Sequence, residues 1–290
     1  MPATAVSQKR IPAKAAVVMD DSGAVLYAKF PNAKLAPAST VKLVTAMVVI
    51  DSLDPAMTVK ISRKAASVRS IKPRLRTDEE MTVSDLLHLS LMKSINSSAV
   101  ALAEATAGSE AEFVVGMNRK AKEIGATNTL FANASGLPGK GIQYTTASDL
   151  AIIMKAALCY PLIREILGKK EYLIRTASGR EILVENSNNL LWQEENVIGG
   201  KTGYTGNARH CFVCAINTER GPLFTAVLGA RSRSSLWRST LLLAEIGKDM
   251  EMSYQYERTL GVPMVDLKVE RPIVPVYQSE FTKLDLKTSE

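Results

Sequence analysis

Ser39 and Lys42 stand three residues apart in Ala38-Ser39-Thr40-Val41-Lys42, at the head of the apolar run Leu43-Val44-Thr45-Ala46-Met47-Val48-Val49-Ile50. A serine hydroxyl becomes an effective nucleophile when a neighbouring base takes its proton. Side chains three apart on a helix share a face, so the Lys42 amine can reach the Ser39 hydroxyl. Drawn into an apolar helix between Val41 and Leu43, that amine would lose the hydration of its charge, which lowers its pKa toward the range where it accepts a proton. Pro37 and Ala38 bring an extended segment up to Ser39, which sets the hydroxyl at a helix N-terminus, where developing negative charge is favoured. A serine and a lysine at this spacing also arise by chance, as an N-cap followed by a surface lysine, so the pair needs support from elsewhere in the chain.

Two further stretches supply it. Lys201-Thr202-Gly203, preceded by Gly199-Gly200, offers a cation, a hydroxyl and a residue without a side chain. That set suits gripping a carboxylate while a substrate backbone lies close alongside. Ser94-Ile95-Asn96 is a polar interruption between two apolar helical patterns, where a kink can face a cleft. Ser187-Asn188-Asn189 matches the same Ser-x-Asn pattern but falls in a loop after a hairpin, so Ser94 is preferred.

The elements that must position these residues follow from periodicity and turn chemistry. Lys14 to Asp20 and Ala24 to Lys29 read as a hairpin around Asp21-Ser22-Gly23, and the Ser39 helix ends near Asp51. Thr58 to Ile61 suits a short strand, while Lys64 to Glu80 is too polar for assignment. Helices are predicted from Thr82 or Ser84, over Ala99 to Ala107, over Glu110 to Ile124 closed by Gly125, and over Thr146 to Leu158 ended by Tyr160-Pro161. Asn133 to Gly141 is a glycine-rich irregular loop of the kind that carries function. Tyr172 to Thr176 and Glu181 to Val184 form a second hairpin, and Leu190, Leu191 and Trp192 read as packing residues. Strands Cys211 to Asn217 and Leu223 to Ala230 follow Lys201, which puts Lys201-Thr202-Gly203 on or beside an edge strand, and Ser234 to Ile246 closes the region as a helix. Strands at both ends of the chain with helices between them imply one sheet assembled from both ends. After Met250 the prolines Pro263, Pro272 and Pro275 among β-branched residues suggest an extended tail.

In the order Ser-x-x-Lys, Ser-x-Asn, Lys-Thr-Gly, the three stretches resemble the penicillin-binding protein and serine β-lactamase superfamily. Ala36 to Ala46, Asn133-Ala134-Ser135-Gly136-Leu137 and Asn189-Leu190-Leu191-Trp192 are similar to the low-molecular-mass D-alanyl-D-alanine carboxypeptidases, over roughly Lys14 to Gly247. The resemblance implies an α/β (α+β) transpeptidase-like fold, an antiparallel sheet flanked by helices with a helical subdomain. The expected division is a catalytic domain over 14–250 and a tail, or the remnant of a small β domain, over 251–290. It also implies a reaction, in which Ser39 attacks the penultimate D-alanine of a peptidoglycan peptide with Lys42 as general base. Ser94 would relay a proton to the leaving D-alanine and Asn96 would hold Lys42 and the substrate amide. Lys201 would supply positive potential, Thr202 would bind the terminal carboxylate, and Gly203 and Tyr204 would complete the substrate edge. The backbone N–H groups of Ser39 and Tyr204 would form the oxyanion hole. β-Lactams would act as inhibitors, and no cofactor or metal is implied. Two departures stand out: Ser97 follows Asn96 where an acidic residue is common, and the arginine often found near Ser187 is missing, which leaves Arg209, Arg231 or Arg233 to supply that charge.

Composition bounds the alternatives. The chain has 290 residues, 46% hydrophobic and 22% charged, enough for one large core. No apolar run approaches the roughly 18 to 20 residues that span a bilayer. Met1 to Val6 lacks signal-peptide character, which leaves a cytoplasmic protein or one whose export signal has been removed. The implied reaction favours the second, in the periplasm or cell envelope. A net charge of +7 suits an anionic envelope or peripheral association with a membrane surface. The basic stretches Arg69 to Arg76 and Arg231 to Arg238 lack the aromatic platforms of a nucleic-acid binder, and a solvated face explains them. Cys211-Phe212-Val213-Cys214 lies in a predicted strand, which sends the two thiols to opposite faces and argues against a metal pair. His88 and His210 have no nucleophile elbow to serve, so both read as structural. A class A β-lactamase would need a Glu-x-x-Leu-Asn pattern that is absent between Ser94 and Lys201, and a silent peptidoglycan-binding protein would have no need of these reactive groups.

Overall fold

The computed structural model describes residues 11–260. Strands β1 (Ala15–Met19) and β2 (Val25–Lys29) form the first hairpin, closed by Asp20, whose carboxylate accepts from Ser22 Oγ at 2.6 Å and from the Ala24 N–H at 2.9 Å. A single 3-10 turn, Ala38–Val41, runs into helix α1 (Lys42–Ile50). Strand β3 (Thr58–Lys60), short helix α2 (Arg63–Ser67) and strand β4 (Glu80–Thr82) make a small ribbon. Helices α3 (Val83–Leu91), α4 (Asn96–Ala107), α5 (Glu110–Glu123), α6 (Ala147–Leu158) and α7 (Pro161–Gly168) follow. The second hairpin pairs β5 (Glu171–Arg175) with β6 (Glu181–Glu185). A helical turn α8 (Leu190–Gln193) then leads to β7 (Val197–Thr205), β8 (Arg209–Thr218), β9 (Gly221–Ala230) and helix α9 (Arg233–Leu260).

The main sheet is antiparallel in the order β2-β1-β9-β8-β7, so both ends of the chain build it and β7 is an edge. Period-two alternation divides its side chains between two cores. Ala15, Val17, Cys211, Val213 and Ala226 face the helical region, while Ala16, Val18, Phe212, Cys214 and Val227 face α9. Helix α1 is buried on nearly every side, as expected of a helix apolar all round. It is therefore a fixed pillar between sheet and helices.

Thr82, Ser109 and Thr146 cap α3, α5 and α6 through hydroxyls that accept from N–H groups three residues on. Three local expectations are corrected. Pro161 ends α6 but also opens α7, because a proline at a first helical position lacks only an N–H that would have had no helical partner. Trp192 is 47% exposed, whereas Leu190 and Leu191 are buried as read. Helix α9 does not stop at Ile246: Gly247 lies within it, where a Cβ would meet Leu223 Cδ1 at 2.7 Å. That glycine lets the helix lie close on the sheet instead of ending it. Residues 251–260 continue α9, and the rest of the expected tail lies outside the described residues. Among the described residues no helix is long and apolar enough to cross a membrane.

Candidate active site

The turn before α1 presents Ser39 under strain. Ala38 sits at φ +49°, a left-handed conformation unfavourable for a residue with a Cβ, and Thr40 donates its hydroxyl to Pro37 O at 2.8 Å. The turn is closed against β7 at Gly203, where a Cβ would lie 3.0 Å from Ser39 N and 3.1 Å from Ala38 Cβ. A side chain there would be crowded against the turn, so the glycine favours this close approach of the edge strand to the nucleophile.

One turn on, Lys42 is fully buried. Its Nζ lies 2.7 Å from Asn96 Oδ1, 2.9 Å from Ser135 O, 2.9 Å from Ser39 Oγ and 3.4 Å from Ser94 Oγ. The first two are pure acceptors. A neutral amine has two N–H bonds and one lone pair; giving the N–H bonds to Asn96 and Ser135 leaves the lone pair for the Ser39 hydroxyl. Burial first, and the nearby charge of Lys201 second, hold the Lys42 pKa well below the ordinary lysine value. Burial and the Lys201 charge thus favour loss of a proton from Lys42, and the amine stands within reach of the Ser39 hydroxyl.

Ser94 sits at φ +64° in the break between α3 and α4, with Ile95 N–H donating to Leu89 O at 3.0 Å. Its Oγ lies between the two lysines, 3.4 Å from Lys42 Nζ and 2.9 Å from Lys201 Nζ. Asn96 opens α4, and its amide is oriented by its partners: Oδ1 accepts from Lys42, and Nδ2 donates to Arg69 O at 2.8 Å. The second N–H of Nδ2 remains for a ligand.

Lys201 is fully buried on β7, its Nζ donating to Ser94 Oγ and to Thr202 O at 2.9 Å each. Burial brings its pKa down to about 7. Thr202 Oγ1 lies 2.8 Å from Ser187 Oγ, and Tyr204, 58% exposed, lies 4.6 Å from the His210 ring at a 38° tilt. Five of the expected side chains, Ser39, Lys42, Ser94, Asn96 and Lys201, thus form one hydrogen-bonded chain, with Thr202 and Gly203 on the strand beside it. Among the described residues no carboxylate hydrogen-bonds or ion-pairs with Ser39, Lys42, Ser94, Lys201 or Thr202.

A model of the D-alanyl-D-alanine carboxypeptidase family matches residues 2–232. The chain belongs to that family. It is 38% identical over 224 residues to the Bacillus subtilis D-alanyl-D-alanine carboxypeptidase DacF, covering 75% of this chain and 57% of the relative. The chain thus spans little more than half the length of that relative. A Pseudomonas aeruginosa D-alanyl-D-alanine endopeptidase is 31% identical, with 89% of this chain and 88% of the relative covered. Among solved structures, a D-alanyl-D-alanine carboxypeptidase from Mycobacterium tuberculosis superposes with a TM-score of 0.80 at 31% identity, over 86% of this chain and 96% of that one.

Two further groups of this family member stand at the centre of the site. The Ser135 carbonyl reaches Lys42 from the Asn133–Gly141 loop, flagged in sequence by its glycines and by the Asn133-Ala134-Ser135-Gly136-Leu137 run, in which Gly136 takes φ +78°. Ser187, set aside as the weaker Ser-x-Asn, is brought beside Thr202 because β6 leads it there and its N–H donates to Met92 O at 2.9 Å. Of the candidate arginines, Arg209 and Arg233 lie near His210, at the Tyr204 end of β7; their charges add to burial in lowering the His210 pKa. The other candidate histidine and the thiols take structural places. His88 is buried, stacked 3.6 Å from Tyr172, and its Nδ1 is 2.8 Å from Ser84 O. Cys211 and Cys214 are buried in different cores, and burial pushes the Cys211 thiol up to about 11.

Proposed function

We propose that the chain is a serine D-Ala-D-Ala carboxypeptidase of the bacterial cell envelope, removing the terminal D-alanine from peptidoglycan stem pentapeptides. Ser39 Oγ attacks the carbonyl carbon of the penultimate D-alanine while Lys42 Nζ takes the hydroxyl proton. The backbone N–H groups of Ser39 and Tyr204 receive the tetrahedral oxyanion. Collapse breaks the peptide bond; the departing amine takes the proton from Lys42 through Ser94 Oγ, and the shortened peptide remains as an ester on Ser39. Water then attacks the ester, the same network accepts its proton, and Ser39 leaves with it. Asn96 holds Lys42 and the substrate amide, Lys201 supplies positive potential, and Thr202, backed by Ser187, receives the terminal carboxylate. Gly203 lets the substrate backbone lie close to the strand. The catalytic unit is assigned to 14–250, acting on cell-wall peptides outside the cytoplasm, with the +7 charge suited to peripheral contact with an anionic membrane surface.

The observation that carries this reading is the fully buried Lys42 amine 2.9 Å from Ser39 Oγ, in a hydrogen-bonded chain that runs on through Ser94 to Lys201. The test is labelling by a fluorescent penicillin together with D-alanine release from a pentapeptide. A stable adduct and free D-alanine are expected, since among the described residues no carboxylate is hydrogen-bonded to Ser39, Lys42, Ser94 or Lys201 to activate water for rapid ester hydrolysis. An adduct hydrolysed within seconds would move the assignment to a β-lactamase. A folded protein that does not label would move it to a binding protein. The endopeptidase name of the Pseudomonas relative, matched over 88% of its length, supports a second reading in which the substrate is a cross-linked peptide. Cleavage of cross-linked peptides without D-alanine release from pentapeptides would favour it.

The two lysines give the reaction opposite pH limbs. As pH falls, Lys42 gains a proton and can no longer serve as base. As pH rises through about 7, free Lys201 loses the charge that attracts the substrate carboxylate. A bell-shaped kcat/KM is expected, its alkaline limb moving to higher pH in kcat because the bound carboxylate favours the charged lysine. Lys201→Arg cannot lose its proton and should flatten the alkaline limb even at a lower rate. An alkaline limb unchanged in that variant would refute the assignment to Lys201.

A further inference from the structure

We propose that the groove between the 68–79 loop and the β5–β6 hairpin is an anion subsite that takes carboxylates on the acyl side of the substrate's scissile bond. The groove has a volume of about 620 Å³, with Lys72, Arg74 and Arg76 on one wall, Lys93 and Arg180 on the other, and Ile182 and Leu183 among its apolar lining. Arg180 donates to both oxygens of the nearly buried Glu79 carboxylate, at 2.9 and 3.2 Å, and to Arg74 O at 3.2 Å. That clamp fixes the loop backbone to the hairpin. Lys93 pairs with Glu185 at 3.2 Å. Lys72, Arg74 and Arg76 are exposed, and none has an ion-pair partner among the described residues. The groove therefore presents uncompensated positive charge over apolar surface, which concentrates field lines on a bound anion.

The groove adjoins the reactive centre through shared elements. Asn96 N–H donates to Ser70 Oγ at 2.9 Å and Asn96 Nδ2 to Arg69 O at 2.8 Å, so the loop that orients Asn96 continues as the groove wall. Lys93 is the neighbour of Ser94. The inference rests on the carboxypeptidase reading: such a substrate ends at the carboxylate held by Thr202, so all the rest of it lies on the acyl side, toward Asn96. The lining favours a peptide over a phosphate polymer. Leu183, 57% exposed, can pack against alanyl methyl groups, whereas a phosphate chain would gain only from the cations. The basic run Arg69 to Arg76, taken from sequence as a solvated face, thereby acquires a ligand.

The experiment compares two pentapeptides ending in D-Ala-D-Ala, one with free carboxylates before that pair and one with those groups amidated. The parent should turn over the acidic peptide with roughly tenfold higher kcat/KM, the low end of electrostatic steering effects. Raising the ionic strength should erase the preference. The triple variant Lys72→Ser, Arg74→Ser, Arg76→Ser should lose it while keeping parental turnover of the amidated peptide and parental penicillin labelling. Equal use of both peptides by the parent, a preference that survives the triple substitution, or a parallel loss on both peptides would overturn the subsite. So would loss of inorganic polyphosphate binding with the peptide preference unchanged, which would give the groove to a phosphate polymer. A parent that releases D-alanine from neither peptide overturns the carboxypeptidase reading itself, an outcome distinct from loss of the preference alone.

Discussion

Lys42→Met and Lys42→Arg should each slow acylation of Ser39 by about 10³- to 10⁴-fold, near the upper range for removal of a general base. The two replacements separate proton transfer from charge. Methionine removes the amine and keeps much of its length; arginine keeps a cation at the position but cannot give up a proton at any accessible pH. If Lys42 acted by positive potential, the arginine variant would retain activity. The geometry argues otherwise. Complete burial beside Lys201 disfavours the ammonium form, and Asn96 Oδ1 at 2.7 Å and Ser135 O at 2.9 Å hold the amine 2.9 Å from Ser39 Oγ. The measurement is the second-order rate of penicillin acylation, followed by mass or fluorescence, with circular dichroism to establish folding. An arginine variant that acylates at more than a tenth of the parental rate would sink the base assignment.

What could be read in advance depended on whether a side chain announced the interaction. Ser39 and Lys42 were legible because helical spacing alone sets them on one face, and β7 because the glycines around Lys201 and the apolar strands after it mark a sheet edge. The opposite-facing thiols Cys211 and Cys214 followed from strand periodicity. The Ser135 carbonyl was not legible, since every residue has one and only the fold aims it. Nor was the left-handed backbone at Ala38 and Ser94, which runs against the preference of both residue types. Ser187 was discounted because its loop position says nothing of where β6 delivers it. The predicted end at Ile246 fell short because nothing in the sequence shows that Gly247 packs against Leu223 inside a continuing helix.

Gly136→Ala is expected to destabilise the protein by about 2–5 kcal/mol, combining a left-handed alanine with an overpacked contact. For a chain of this size that lowers Tm by roughly 5–15 °C, and acylation by the remaining folded protein should fall more than about tenfold, as misplacement by an ångström can do. At φ +78° a Cβ would fall 1.9 Å from Ala38 O, 2.4 Å from Ala38 C and 3.0 Å from Ser39 N. All three are backbone atoms of the nucleophile's own turn, and no rotamer change relieves them. The loop cannot simply retreat. Asn133 Oδ1 accepts from Gly136 N–H at 2.7 Å, Asn133 Nδ2 donates to Leu137 O at 2.9 Å, Thr45 donates to Ala134 O at 2.8 Å, and Ala134 N–H donates to Glu110 at 3.0 Å. Any shift that makes room for the methyl group therefore moves either Ser39 or the Ser135 carbonyl, and with it an acceptor that positions the Lys42 amine. Gly139→Ala supplies the control in the same loop: no atom lies within 4 Å of its Cβ position and its φ is not left-handed, so it should be neutral or slightly stabilising by loss of unfolded-state freedom. Parental melting and acylation in Gly136→Ala would mean that the contact between this loop and the nucleophile's turn does not govern the site.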